Sequence, residues 1–189
     1  MIWAALAVAV MAPLVAAAFS PLLQWRSGVY IASGFAGILA MALVLVQAML
    51  ATGTLPLDQS PARRIHRITG VLLVLCVVGH VAGLWITSPP DVIDALTFTS
   101  PTPFSVWGVI AMWAVFGAAL LALLRKRLGL RPITWRWAHA TLALVVAGGT
   151  IVHALRIDGT MEHVTKYALS ALVAAAVIGV AWHVRPRRR

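Results

Sequence analysis

Apolar residues run along this chain in six long blocks, each ended by a short polar or proline-containing stretch. The blocks extend approximately over Ile2 to Phe19, Val29 to Ala51, Pro61 to Ile86, Phe104 to Leu124, Pro132 to Leu155 and Val164 to Val184. Turn-forming residues separate them: Ser20-Pro21, Gly53 with Pro56, Ser88-Pro89-Pro90, Pro101 with Pro103, and Asp158-Gly159. A bilayer core of about 30 Å takes roughly 20 mainly apolar residues as one helical crossing, so the pattern predicts six transmembrane helices. Ser60-Pro61 reads as an N-cap followed by proline at the first helical position, and Pro132 opens the fifth helix in the same way. The segment Asp91 to Leu96 reads as either a short interfacial helix or a plain connecting loop. No second, soluble domain fits between the blocks, and residues 1–189 form one six-helix domain.

Composition identifies the solvent. Hydrophobic residues make up 61% of the chain and charged residues 11%, with a mean hydropathy of +0.94, whereas soluble domains carry about 25% charged residues. The expected class is an all-α integral membrane protein, a six-helix bundle. Ala16-Ala17-Ala18 resembles a cleavage site, but no Lys or Arg precedes the first apolar block as in a secretory signal. That block is therefore read as a retained crossing.

Charge then orients the bundle. Arg63, Arg64 and Arg67 lie at the start of the third block, and Arg125, Lys126, Arg127, Arg131 and Arg136 around the fourth-to-fifth connection. Arg185, Arg187, Arg188 and Arg189 end the chain. The opposite connections hold only Arg26, Arg156 and Lys166, together with Asp91, Asp94, Asp158 and Glu162. The positive-inside rule puts both termini in the cytoplasm, as an even number of crossings requires. The net charge of +10 sits in short clusters at membrane boundaries, which suits anionic lipid headgroups rather than nucleic acid.

Four of the six histidines form two matched pairs, His66 with His80 and His139 with His153, each fourteen residues apart inside an apolar block. Fourteen residues turn a helix through roughly 1400°, about 40° short of four turns, and rise roughly 21 Å, so each pair shares one face with a member near each leaflet. The third and fifth helices run in the same direction, which sets His66 level with His139 and His80 level with His153. Two imidazoles facing each other can supply both axial ligands of a haem, and here that can happen twice. A lone intramembrane histidine can instead bond across to another helix; the equal spacing and depth of four favour haem. Without a Cys-x-x-Cys-His motif the group is noncovalent haem b, two per chain. Cys76, the single cysteine, reads as a small buried apolar residue.

Gly70, Gly79, Gly83, Ala143, Gly148, Gly149 and Thr150 lie near these histidines and offer room for a macrocycle or for close helix packing. Haem propionates are anionic. Arg63, Arg64, Arg67 and Arg136 are placed to meet those of an inner haem, and Arg156 with His163 those of an outer one, unless the arginines set topology only. His163 otherwise reads as an exterior loop residue and His183 as a boundary residue near the cytoplasmic end.

The six helices, the histidine pairs on the third and fifth, and the segments Arg64-Ile65-His66-Arg67-Ile68-Thr69-Gly70 and Trp135-Arg136-Trp137-Ala138-His139 resemble the ferric reductase-like transmembrane domain. That family includes the membrane portions of NADPH oxidases and ferric reductases. The resemblance implies electron transfer from reduced flavin on the cytoplasmic side, through an inner haem on His66 and His139 and an outer haem on His80 and His153. The exterior acceptor would be ferric iron, oxygen or a periplasmic enzyme. The chain ends five residues after Val184 and has no GxGxxG fingerprint. The resemblance therefore implies a separate cytoplasmic flavoprotein reductase docking on the basic face, with flavin supplied there, as in stand-alone haem subunits of the bacterial inner membrane. Two rivals are a quinol-linked di-haem cytochrome b and a non-redox transporter using the histidines as a proton relay.

Overall fold

The computed structural model describes residues 1–184, with side chains through Trp182. The side chain of His183 and the arginine run from Arg185 lie outside the described residues. The described chain is helical, in the order α1 (Ile2–Ala18), a 3₁₀ turn (Pro21–Leu23), α2 (Gly28–Thr52), α3 (Gln59–Thr87), α4 (Pro89–Leu96), α5 (Ser105–Leu128), α6 (Pro132–Arg156) and α7 (His163–Val184). Among the described residues, α2, α3, α5, α6 and α7 are long and apolar enough to cross a membrane, while α1 is shorter at 17 residues.

The helix ends follow local chemistry. Ser27 Oγ accepts from the Tyr30 amide to cap α2. Gly53 and Gly129 end α2 and α5 in left-handed conformations, φ 70° and 57°, which glycine adopts without a Cβ penalty. Pro132 is in the first turn of α6 as expected. The start of α3 corrects the sequence reading: the cap position is Asp58 and the helix opens at Gln59, placing Pro61 third. Proline is tolerated there because the first amides of a helix have no intrahelical acceptor. Arg63 Nη2 donates to Gln59 Oε1 at 2.6 Å and ties that first turn together. His163 is likewise no loop residue but the first residue of α7, and the Asp91 to Leu96 segment belongs to the short helix α4.

Two antiparallel hairpins, α2 with α3 and α5 with α6, are the main packing units, and α7 seats against α2 and α6. The core centres on α2, where Ile38, Met41, Ala42, Val44 and Leu45 are buried against Ala114, Val115, Val146, Ala147, Leu169 and Val173. By contrast α3 exposes Ile68, Val71, Leu72, Leu75 and Val78. A helix apolar all round, with its outer face uncovered, is suited to hydrocarbon rather than water. The backbones of α3 and α6 scarcely approach each other. Their histidines occupy the gap.

Candidate functional site

The two histidine pairs predicted from spacing meet across that gap. The His66 and His139 rings stand 6.3 Å apart between centroids at 62°, and those of His80 and His153 stand 6.4 Å apart at 81°. Meeting at both levels requires α3 and α6 to run in the same direction. The first level lies toward the turn joining α5 to α6, and the second toward the α6–α7 connection.

At the second level the helices α2 and α5 aim the rings. His80 Nδ1 donates to the Ser33 carbonyl at 2.8 Å, while the Ser33 hydroxyl donates back to the His80 carbonyl at 2.7 Å. His153 Nδ1 donates to the Phe104 carbonyl at 3.0 Å. Carbonyl oxygens only accept, so both Nδ1 atoms carry a proton, and in the neutral rings both Nε2 atoms keep a free lone pair. Hydrogen bonding of the outer ring nitrogen to a carbonyl is the arrangement that orients a metal-ligating imidazole.

One turn beyond each acceptor is a glycine. A Cβ on Gly37 would fall 3.0 Å from His80 Nδ1, and one on Gly108 would fall 2.7 Å from His153 Nδ1. The two hairpins thus repeat one device: a carbonyl, then a glycine four residues later, cradling a histidine of the facing helix. Sequence reasoning missed Ser33, Gly37, Phe104 and Gly108, because a backbone acceptor leaves no side-chain signature. The glycines it singled out divide: Cβ atoms at Gly79 and Gly148 would meet open space, whereas one on Gly83 would fall 2.8 Å from Ser33 Cβ and one on Gly149 2.9 Å from the Trp107 carbonyl, so those two serve close helix packing.

The first level is built from side chains. Gln47 Nε2 donates to the His66 carbonyl at 2.9 Å and to Thr69 Oγ1 at 3.0 Å, pinning α2 to α3. Trp135 stacks on His139 at 5.2 Å and 9°, and the Arg125 guanidinium lies 4.4 Å from the Trp135 ring centre. Among the described residues, the buried Nδ1 atoms of His66 and His139 have no hydrogen-bond partner. Buried polar atoms are ordinarily paired, so two orphaned ring nitrogens at one level call for an explanation, such as a water or ion.

The predicted arginines are distributed unevenly. Arg64, Arg67, Arg136 and Arg156 are all exposed, and none forms an ion pair among the described residues. Arg63 and Arg67 line a shallow groove with Gln59 and Ser60 near the first level. A much larger cavity of about 700 Å³ opens beside the second level; His80, His153, Gly37 and Gly108 line it, whereas Arg156 does not.

These residues fit a haem. Imidazole nitrogens ligate metals at about 2.0–2.1 Å, so two on opposite sides of one ion stand about 4 Å apart. The observed centroid separations leave room for that spacing once half of each ring is subtracted. Among the described residues no three His, Cys, Asp or Glu side chains gather as a metal cluster. Two facing imidazoles at each level would suit a metal that brings further ligands of its own.

A family model described as the ferric reductase like transmembrane component matches residues 33–150 of the chain. The match starts at Ser33, includes His66, His80 and His139, and stops just before His153. No curated protein and no solved structure matches the chain.

Proposed function

The chain belongs to the ferric reductase-like transmembrane family, and on that footing we propose that it is a membrane cytochrome with two b-type haems, carrying electrons from a cytoplasmic donor to an exterior acceptor. Membership makes it an integral membrane protein with an oxidoreductase or electron-transfer role, and domains of this family typically bind haem. The observation that carries the di-haem reading is the doubled pair of facing imidazoles, at 6.3 and 6.4 Å.

His66 and His139 would hold the cytoplasmic haem, and His80 and His153 the exterior one. Bound haem supplies one-electron redox chemistry at each level. The chain contributes position and medium. Ser33 and Phe104 keep the exterior ligands in the Nδ1–H tautomer; Trp135 holds the His139 ring in plane; and apolar surfaces exclude water. The fourteen-residue spacing separates the levels by roughly 21 Å along the helices, most of a bilayer core.

In this reading α1 is the sixth crossing, its 17 residues at the short end of the spanning range. Both termini are then cytoplasmic, in agreement with the distribution of Lys and Arg. The donor is a separate flavoprotein reductase docking on the basic face around Arg63, Arg67, Arg125 and Arg136. The acceptor is ferric iron, oxygen or a periplasmic enzyme, and the membrane is the bacterial inner membrane.

An optical spectrum of the purified chain tests the reading directly. Reduced b-type bands with about two haems per chain are expected, and a His80→Ala, His153→Ala double variant should keep only the first-level haem. Full loading of that double variant would overturn the ligand assignment.

A further inference from the structure

Lys166 lies in the first turn of α7 and is only 2% exposed, although it is one of three cations on the sparsely charged side of the bundle. A buried ammonium is costly unless it is paired. Its Nζ donates to the Ile157 carbonyl at 2.7 Å. The Asp158 carboxylate is at 3.8 Å, beyond hydrogen-bond length, and is itself 79% exposed, so solvent screens most of its charge. An ammonium has three donors, and these contacts leave it short of partners.

Lys166 also lines the 700 Å³ cavity that contains the His80 and His153 rings. The exposed Arg26 lines the same cavity, its guanidinium 4.8 Å from the Tyr30 ring centre. The acid on the wall, Asp91, already accepts from Ser88 Oγ at 2.6 Å. Cations outnumber acids around a largely apolar space, and such a space takes a flat apolar ligand with an anionic edge.

We propose that Lys166 anchors a carboxylate of the tetrapyrrole bound between His80 and His153, with Arg26 at the rim of the same anionic subsite. The inference rests on the di-haem reading and adds a buried cation on the cavity wall to the expected pair, Arg156 and His163. Arg156 is exposed and off the cavity wall, and His163 turns its Nε2 to Asp158 at 3.4 Å. The alternative source of a carboxylate is a soluble anion entering through the mouth.

The test uses the full chain in detergent, titrated with haem and then poised in a redox titration, as wild type, Lys166→Gln and Lys166→Arg. Glutamine keeps a donor for the Ile157 carbonyl but removes the charge. In Lys166→Gln one of the two haems should bind about tenfold more weakly, the effect expected for losing a hydrogen bond to a charged group. Its midpoint potential should also fall, because a nearby cation favours the less positive, reduced iron. Lys166→Arg should restore both. Reconstitution with the iron porphyrin dimethyl ester, which lacks carboxylates, should abolish the difference between wild type and Lys166→Gln. Wild-type affinities and potentials in Lys166→Gln would overturn the proposal, and a difference that survives with the ester would assign the subsite to a soluble carboxylate instead. Failure of the wild-type chain to take up any haem would sink the di-haem reading itself.

Discussion

Gly108 on α5 and His153 on α6 approach so closely that a methyl group on the glycine would fall 2.7 Å from the imidazole Nδ1 and 2.9 Å from Cε1. Only a hydrogen at this position lets the ring reach the Phe104 carbonyl. Gly108→Ala should therefore displace His153 and lower haem content at the second level while leaving the first intact. Overpacking of this kind costs about 1–3 kcal/mol. Gly37→Ala, at 3.0 Å from the His80 ring, should do the same more mildly, and Gly148→Ala, facing open space, should match wild type. Haem per chain across the three variants checks the order, and equal loading in all would contradict it.

At the first level, the indole of Trp135 contacts both the Arg125 guanidinium and the His139 ring. Aromatic stacking beyond area burial is worth about 0.5–1.5 kcal/mol. Trp135→Ala should weaken haem affinity at this level by that amount and leave the second level unchanged, while Trp135→Phe should retain most of the contact. A haem titration resolved by level measures it.

Gln47 joins two helices through the His66 carbonyl and Thr69 Oγ1. Interhelical hydrogen bonds in membranes average about 0.6 kcal/mol and reach about 1.7. Gln47→Leu should lower stability within that range, read as a reduced midpoint of detergent-induced unfolding, with both haems still bound. Loss of haem without loss of stability would show that Gln47 acts on His66 alone.

Glu162 caps α7, accepting from the amides of Val164 and Thr165, each at 2.6 Å. The Thr165 side chain and amide, together with the Val164 amide, hold its carboxyl below the ordinary value of 4.5. With the folded value depressed, the capping stabilisation is complete above pH 4.5 and disappears as pH falls through the lower, folded value. The group is well solvated, so the contribution is small, about 0.5 kcal/mol. Unfolding midpoints of wild type and Glu162→Gln should differ at pH 7, and the difference should shrink as pH falls below 4.5. A constant difference across that interval would rule out the charge as its cause.

Hydropathy and spacing alone determine much of this protein. The six apolar blocks match α1, α2, α3, α5, α6 and α7 to within a few residues, and among the described residues all of these but α1 are long and apolar enough to cross a membrane, because a crossing must be both apolar and of bilayer length wherever its neighbours lie. The fourteen-residue repeat is equally local. Helical geometry alone puts each histidine pair on one face, which is why His66 with His139 and His80 with His153 could be matched before any packing was known.

What surrounds those histidines depends on register between helices, and no local pattern records it. Only the tertiary structure brings the carbonyls of Ser33 and Phe104 to the second-level rings, since every residue has a carbonyl and nothing in the sequence distinguishes these two. Packing likewise decides that Gly37 and Gly108 cradle a ring while Gly79 and Gly148 face open space, and that Lys166 rather than Arg156 lines the cavity. Solvent selects which segments become helices, and the close fit of one helix against another selects which atoms meet.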